Sequence, residues 1–221
     1  MEAVVKVGGS LAEDAATLER FCQELSFLAE THRLVVVPGG GKFADTARKL
    51  DKKFNLSNTV AHKMAILAMD QYGLLLSYIT PNSYVSPSLE EIKSSAKGIL
   101  PIFLPSIHMF CEDALEHTWD VTSDSISAYL ASLLHAEKLV LVTDVDGIFS
   151  DDPKKNPDAT LIEELPAKSL LSWNMRTSVD KALPKLLLQA QLDCYVVNGK
   201  YPDRIKLILE NEKTVSTCIT T

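Results

Sequence analysis

The sequence has few cysteines and no excess of basic charge. The four cysteines, Cys22, Cys111, Cys194 and Cys218, are scattered and form no C-x-x-C pair. We therefore expect reduced thiols in a cytoplasmic protein.

The chain also has no excess of basic charge. Lysine and arginine total 22 against 29 acidic residues, so the formal net charge is −7. Non-specific nucleic-acid binding needs a basic surface, which argues against a nucleic-acid partner. A few local lysines still suffice to hold a nucleotide.

The sequence also lacks long apolar runs. No stretch reaches the length that spans a bilayer, and residues 1–10 have no signal-peptide pattern. We therefore predict no membrane partner. The 221 residues are 46% hydrophobic and 23% charged, which is ordinary for a globular protein. This length suffices for one core, or for two lobes that share one sheet.

Short β-branched runs alternate with segments of helical periodicity. Strands are predicted at 4–7, 34–37, 99–104, 138–142 and 194–197, with a last edge strand at 215–219. Helices are predicted at 17–29, 43–50, 60–78, 123–134, 181–191 and 202–209. This alternation predicts an α/β fold, a three-layer αβα sandwich with a mostly parallel central sheet.

Glycine-rich or polar loops directly follow four of these strands, at 8–9, 39–41, 143–147 and 198–199. Ligands of parallel sheets bind outside the carboxyl ends of the strands, so these loops are expected at one rim. Glycine lets backbone N–H groups approach a phosphate chain. Lys6 lies in an otherwise apolar strand and needs an anionic partner. Lys6 and the two glycine loops therefore predict a phosphate cradle, although neither loop is a P-loop or a dinucleotide fingerprint.

Three other features have two interpretations each. Residues 120–124 are typical of a helix cap, but a carboxylate there can also hold a catalytic lysine. The loop 143–147 lacks the spaced ligands of an EF-hand, which favours a polar turn or a nucleotide contact. The histidines His62, His108 and His117 have no metal-ligand spacing, so each is more typical of a surface or core residue.

The motifs 5–10, 37–41, 121–124 and 143–149, with Asp152-Pro153, occur in an order that resembles the amino acid kinase (carbamate kinase-like) superfamily. The resemblance covers nearly the whole chain. It implies the amino acid kinase fold as a single domain over 1–221. Residues up to about 115 would form the acceptor and phosphate side, and residues 116–221 the nucleotide side. It also implies transfer of a phosphoryl group from ATP, with Mg²⁺ held largely by phosphate oxygens and water.

The resemblance implies a role for each motif. The implied catalytic residues are Lys6, Asp124 and Lys185. The implied nucleotide-binding residues are Gly8, Gly9, Ser10, Thr143, Asp144, Asp146, Gly147, Phe149, Asp152, Pro153 and Lys154. The implied acceptor-binding residues are Gly39, Gly40, Gly41, His62 and Asp120. The family's second lysine usually follows a Gly-Gly-Met segment, which is absent from 174–185, so Lys181 is the alternative to Lys185.

Within the superfamily, the segments 43–45, 56–58, 62–65 and 117–125 resemble the kinases of methanofuran-type cofactor biosynthesis. This implies that the acceptor is a small phosphate monoester, whose charge demands additional cations. His62 is therefore a hypothetical ligand of the acceptor phosphate. A kinase that acts on UMP, isopentenyl phosphate or an amino-acid carboxylate is the second hypothesis. A non-catalytic nucleotide-binding module is the third. The retained Lys6, Asp124 and a lysine near 185 argue against that module.

The apolar segment 64–76 predicts either a helix buried within the monomer or a subunit interface. Members of the family commonly pair through the corresponding helix. The resemblance therefore implies a homo-oligomer, a dimer or larger.

Overall fold

The computed structural model describes residues 1–153, 155–173 and 177–221. The strands are β1 (Ala3–Val7), β2 (Leu34–Pro38), β3 (Ser83–Ser86), β4 (Leu100–Phe103), β5 (Lys138–Thr143), β6 (Ile148–Phe149), β7 (Leu161–Ile162), β8 (Glu164–Pro166), β9 (Cys194–Asn198) and β10 (Thr217–Thr220). The helices are α1 (Ala15–Leu28), α2 (Gly41–Phe54), α3 (Asn58–Ile79), α4 (Leu89–Ser94), α5 (Ser106–Glu112), α6 (Ser123–Leu133), α7 (Ala167–Leu171), α8 (Leu183–Ala190) and α9 (Asp203–Leu209). A 3₁₀ turn, Gly9–Glu13, joins β1 to α1.

One eight-stranded sheet, in the order β3-β4-β2-β1-β5-β9-β10-β8, organises the described chain. Its neighbours are parallel except for the antiparallel pair of β9 and β10. The strand β1 lies between β2 and β5, and Lys6 is in register with Val37 and Leu141. The carboxyl ends of β1, β2, β5 and β9 therefore lie at the same edge of the sheet.

Hydrophobic clusters cover both faces of the sheet. Along β1, Val4 belongs to the cluster that includes α6 and α8, whereas Val5 belongs to the cluster that includes α1 and α9. This alternation is the two-residue period of a strand buried on both faces. The predicted three-layer αβα sandwich with a mostly parallel sheet is thereby confirmed. By the same period, Lys6 points to the face of the sheet on which Val4 lies.

Several elements differ from the sequence prediction. The strand predicted at 215–219 is Thr217–Thr220, and it is not at the sheet edge, because the short strand β8 pairs with its outer side. The sequence prediction missed β3, β6, β7 and β8, which have only two to four residues each. Such short strands have no pattern distinct from that of a loop, and long-range pairing alone defines them.

The long helix α3 begins earlier than predicted, at Asn58, because the Ser57 hydroxyl caps it by accepting a hydrogen bond from Val60 N–H. The helix α6 begins at Ser123, with Thr122 as its cap. None of the described helices combines the length and the apolar character that crossing a membrane requires.

Candidate active site

The two predicted glycine loops pack directly against each other. The Gly39 N–H donates to the carbonyl of Val7 over 2.8 Å. A Cβ atom on Gly9 would lie 2.1 Å from Cα of Gly41, and Gly41 has a φ of +50°. Position 9 requires glycine because the atoms that a Cβ would meet belong to the backbone, which cannot move aside as a flexible side chain does. Position 41 favours glycine because its φ lies in the left-handed region. Gly41 is also the first residue of α2, so the unpaired N–H groups and the positive end of that helix lie at this junction.

Lys6 and Asp124 form a buried ion pair beside these loops. Nζ of Lys6 lies 2.8 Å from Oδ1 of Asp124, and the two side chains are only 12% and 9% exposed. The central position of β1 places Lys6 here, and the first turn of α6 places Asp124. Because a buried lysine is costly without a partner, Asp124 compensates its charge and restricts its ammonium group. Residues 120–124 therefore act both as a helix start and as a support for Lys6.

Asp180 supports Asp124 and was missed by the sequence prediction. Its carboxylate accepts hydrogen bonds from the backbone and hydroxyl groups of Thr122 and Ser125, and from Leu183 N–H. Its own N–H donates to Oδ2 of Asp124. Burial, followed by the nearby Asp124, raises the pKa of Asp180. Asp180 lies just before α8, and an aspartate at the start of a helix is a typical capping residue. This position is the sequence signal that could have identified Asp180.

A cavity of about 320 Å³ opens beside the glycine loops. It is lined by α2, α3, the first turn of α6 and the loop before it, and its wall includes Gly9, Ser10, Gly40, Gly41, Lys42, Asp45, Arg48, His62, Trp119, Thr122 and Ser123. The indole Nε1 of Trp119 donates to Asp51 over 2.7 Å, and the Arg48 guanidinium lies 4.4 Å from the centre of the indole ring. Trp119 and Arg48 were missed because no local pattern marks them.

His62 lies in this cavity wall and is 8% exposed. Burial lowers its pKa first, and the neighbouring His117 lowers it further, while Asp113 opposes both. The sequence interpretation treated His62 and His117 as isolated histidines. In the structure their rings stack with centroids 4.6 Å apart.

A second cavity, of about 480 Å³, lies at the carboxyl end of β5. Its wall contains the predicted nucleotide-binding residues Thr143, Asp144, Gly147, Phe149, Asp152 and Pro153, together with Thr177 and Ser178. Asp146 is engaged elsewhere, because it accepts hydrogen bonds from Arg204 over 2.6 Å and from Asn198 over 3.1 Å. It thereby anchors the loop to β9 and α9. Lys154 is outside the described residues, as are residues 174–176.

Three predicted residues lie apart from both cavities. Asp120 is exposed and pairs with Lys181, with 3.3 Å between Nζ and Oδ1. Lys185 is exposed on α8. Within the described residues, neither lysine is paired with Asp124 or lines a cavity. No group of three or more His, Cys, Asp or Glu side chains in that part of the chain is arranged to hold a metal ion.

Comparison with known proteins gives consistent matches. The model of the amino acid kinase family matches residues 1–198. The [5-(aminomethyl)furan-3-yl]methyl phosphate kinase of Methanocaldococcus jannaschii is 37% identical over 219 residues, which are 98% of this chain and 96% of that protein. The uridylate kinase of Pyrococcus abyssi is 27% identical over 212 residues, with 90% and 91% covered.

Solved structures share the fold along the whole chain. The uridylate kinase from Archaeoglobus fulgidus has a TM-score of 0.78 and 23% identity, and covers 100% of both chains. An isopentenyl phosphate kinase substrate complex has a TM-score of 0.67 and 20% identity, and covers 99% of both chains. At these identities the similarity establishes the fold alone.

Proposed function

Since the chain belongs to the amino acid kinase family, we propose that it is an ATP-dependent kinase of a small phosphate monoester. The proposed acceptor is [5-(aminomethyl)furan-3-yl]methyl phosphate, on which the relative from M. jannaschii acts according to its name. The product would be the diphosphate, an intermediate of methanofuran-type cofactor biosynthesis. One observation supports phosphoryl transfer above all others. Lys6, a buried lysine held by a carboxylate, lies in the strand that leads into two closely packed glycine loops.

The proposed mechanism relies on position and charge. The transferred phosphoryl group carries its negative charge on its equatorial oxygens, so the protein mainly has to orient the reactants and neutralise that charge. Lys6 would supply the positive charge, and backbone N–H groups of Gly9, Gly40 and Gly41 would donate to phosphate oxygens. The sequence prediction also assigned Gly8 this role, but its N–H donates to the Val142 carbonyl over 2.8 Å. Asp124 would hold the Lys6 ammonium at one point, which reduces the cost of reorganisation during transfer.

Magnesium would accompany the nucleotide. Mg²⁺ prefers oxygen ligands and keeps several waters, and kinases commonly bind it through substrate phosphates. Asp144 and Asp152 line the second cavity, but no group of three or more His, Cys, Asp or Glu side chains within the described residues is arranged to hold a metal ion. This donor set fits a metal ion that is held mainly by phosphate oxygens and water.

We further propose that the two cavities divide the substrates. The cavity beside α3 would hold the acceptor, and the cavity at the end of β5 would hold the nucleotide. The acceptor side would come mostly from residues up to about 115 and the nucleotide side from residues 116–221. Residues 119–126 also contribute to the acceptor cavity, so the proposed boundary follows the chain only approximately.

The acceptor cavity contains cationic groups for a phosphate monoester, next to the carboxylates of Glu13 and of Asp45, which pairs with Arg48. Lys42, Arg48 and His62 line it, and His62 is the buried one. We propose His62 as a ligand of the acceptor phosphate.

The His62→Ala variant tests this role. The substitution should raise the KM for the acceptor about tenfold, because it removes one hydrogen bond to a charged group. An unchanged KM for the acceptor and an unchanged kcat would exclude this role.

The second cationic residue of the transfer step is proposed to be Lys185, with Lys181 as the alternative. Both are exposed in this structure, and Lys181 is already paired with Asp120. Comparing Lys185→Ala with Lys181→Ala separates the two, since the catalytic lysine should lose kcat and the other should retain it. If both variants keep the wild-type kcat, neither lysine participates.

We also propose a homo-oligomer that forms through α3. Four large apolar side chains on that helix, Val60, Leu67, Leu74 and Tyr78, are 44–90% exposed. Their spacing of seven, seven and four residues places them on one side of the helix, and an exposed apolar helix face commonly marks a protein interface.

An acceptor screen with Mg-ATP tests the proposed function. Aminomethylfuran phosphate, UMP and isopentenyl phosphate are offered separately, and ADP release and the diphosphate product are measured. The first acceptor should give the highest kcat/KM. A higher value for UMP or isopentenyl phosphate would reassign the acceptor but keep the kinase. ATP binding without turnover of any acceptor would favour a nucleotide-binding module.

The Lys6→Ala variant tests the catalytic role of the buried lysine. We expect kcat to fall by about 10²–10³-fold, as for the loss of one preorganised charge-stabilising group, with a modest change in the KM for ATP. Circular dichroism must first establish that the variant is folded, because Asp124 loses its partner. Lys206 on α9, which is 52% exposed and lines neither cavity, provides the matched control, and Lys206→Ala should keep the wild-type kcat. A folded Lys6→Ala variant with normal kcat would refute the mechanism.

A further inference from the structure

Two histidines from distant parts of the sequence stack beside the acceptor cavity. The ring centroids of His62 and His117 are 4.6 Å apart, and the ring planes differ by 24°. His62 lies near the start of α3 and lines the cavity, whereas His117 lies in the loop that precedes α6. The stacked ring of His117 therefore supports His62 and is not itself among the residues that line the cavity.

Both ring nitrogens of His117 are engaged. Nε2 lies 2.8 Å from Oδ1 of Asp113, and Nδ1 lies 3.0 Å from the hydroxyl of Thr59. The carboxylate only accepts, so Nε2 carries a hydrogen. The Thr59 hydroxyl can donate to a bare Nδ1 or accept from a protonated one. The ring plane of His117 is therefore fixed by partners at both edges.

We infer that His117 is a positioning residue for acceptor binding, which holds the His62 ring in the cavity wall and tunes the charge that His62 presents to the acceptor phosphate. His62 needs this support because, in the described part of the chain, its ring has a stacking contact with His117 and no hydrogen bond that would hold it. Stacking on a ring that is itself clamped restricts its rotation at little entropic cost. His117 has this role only if His62 binds the acceptor phosphate, as the proposed function requires.

The charges around the pair define how it titrates. Burial and the neighbouring His117 lower the pKa of His62, whereas Asp113 raises it. The other charged side chains near the pair are Glu13, Lys42, Asp45 and Arg48 in the cavity wall, and Asp51, Lys63, Glu112, Glu116 and Asp120 on the surrounding elements. Arg48 contacts Asp45 and Trp119, Asp51 contacts Trp119, Lys63 contacts Phe110, and Asp120 contacts Lys181. The charged neighbours that shift the pKa of His62 are His117 and Asp113.

A proton on His62 would favour a dianionic phosphate, but repulsion from His117, which lowers the pKa of His62, disfavours that proton. We therefore expect the KM for the acceptor to depend on pH through His62. Without His117, the repulsion is lost while Asp113 remains. The inflection of this dependence should then move to higher pH.

The test compares His117→Asn with His135→Asn, which makes the same substitution at a remote histidine. Steady-state kinetics with aminomethylfuran phosphate and Mg-ATP are measured between about pH 5.5 and 8.5, the range in which histidines titrate. In His117→Asn we expect the KM for the acceptor to rise about tenfold at neutral pH, with kcat and the KM for ATP near their wild-type values. The inflection in the pH profile should move upward. His135→Asn should change none of these quantities.

A milder variant, Thr59→Val, removes one of the two edge contacts at an exposed position. We expect a rise in the KM for the acceptor of about two- to threefold, since one of two orienting hydrogen bonds is lost. Wild-type values for the acceptor KM and its pH profile in both variants would overturn the inference. Equal increases in the KM values for ATP and acceptor in His117→Asn would also overturn it, because general damage to the site then explains the loss.

NMR titration of the histidine Cε1–H signals separates this inference from the proposed function, because it needs no turnover. The wild type and His117→Asn are titrated without substrate, with His62→Ala used to assign the His62 signal. An upward shift of the His62 titration in His117→Asn supports the coupling, and an unchanged His62 titration overturns it. Failure of the wild type to phosphorylate any phosphate acceptor would instead refute the proposed function.

Discussion

At the scale of single residues, carboxylates decide what the buried lysine can do. Asp124 pairs with Lys6, and Asp180 holds the start of the helix that carries Asp124. The Asp180 carboxylate accepts hydrogen bonds at both oxygens, so it connects the turn before α6 to the turn before α8. A carboxylate with this many donors acts as a rigid junction. The position of the Lys6 ammonium therefore depends on a residue that does not contact it.

Asp180→Asn tests this junction. The amide places one donor group against the donors of Thr122 and Ser125, so we expect a stability loss of about 1–3 kcal/mol and a misplaced Asp124. As a consequence, kcat should fall by about tenfold or more, because small displacements in a transfer site are costly. Urea denaturation and steady-state kinetics measure the two effects. The exposed Asp203 provides the control in Asp203→Asn, and wild-type kcat in Asp180→Asn would contradict the junction.

Glu2 gives a prediction about pH. Burial tends to raise its pKa, but hydrogen bonds from His32, Arg33 and Lys97 outweigh burial and lower the pKa from 4.5 to about 2. Because the folded-state pKa is depressed, the stabilisation is complete above pH 4.5 and is lost as the pH falls towards 2.

The Glu2→Gln substitution should lower the free energy of unfolding near neutral pH by about 1–2 kcal/mol. This value allows for the partial exposure of the side chain, which weakens its electrostatic interactions. Urea denaturation across the acid range should show the difference from wild type shrinking as the pH falls. The exposed Glu30 serves as control in Glu30→Gln. A difference that stays constant with pH would show that the loss is not electrostatic.

At the scale of elements, the carboxyl ends of parallel strands meet the start of helices. Two glycine loops close against each other between β1, β2 and α2, and the buried ion pair lies beside them. The loops have no side chains at their contact, so their backbones approach more closely than any other residue type would allow. The glycines therefore serve to bring donors together as much as to turn the chain.

Gly9→Ala tests the closeness of the loops. The added Cβ would meet backbone atoms of Gly41 at 2.1 Å, so one loop must move. We expect kcat to fall by about 10²-fold, as for displacement of a reacting group by about 1 Å, together with reduced thermal stability. Gly98→Ala is the control, since Gly98 has a φ of +93° but open space around it. That variant should lose stability and keep its kcat. Normal kcat in Gly9→Ala would show that the loops tolerate separation.

At the scale of the whole molecule, one continuous sheet joins the proposed acceptor side to the proposed nucleotide side. The order β2-β1-β5-β9 places the glycine loops, the ion pair and the loop 143–147 in succession along one edge. The helix α3 has its buried side against this sheet, where Tyr72 and Leu76 are 1% exposed, and its apolar outer side is open. The same helix thus packs in the core, carries His62, and exposes the surface proposed for assembly.

Light scattering after size-exclusion chromatography tests the proposed assembly. The wild type should be a dimer or larger at micromolar concentration. Leu74→Glu introduces a charge at a residue that is 55% exposed, and it should shift the protein to a monomer. Phe27→Glu makes a comparable change on α1, at 61% exposure, and should leave the assembly intact. A monomeric wild type would rule out the interface.

The sequence by itself determined the mostly parallel α/β sheet, the glycine loops and the prediction that Lys6 needs an anion. These features are local: strand periodicity, glycine positions and a charge in an apolar run are all legible within a few residues. It also indicated the family, because ordered motifs span nearly the whole chain.

Only the tertiary structure decided which residues meet. Thr122 and Asp180 are 58 residues apart in the chain, as are Thr59 and His117, and no local pattern relates the members of either pair. The interior position of β10 likewise depends on β8, a strand too short to recognise alone. Contacts of this kind arise from the folding of the whole chain, because their partners gain stability only after distant segments pack together.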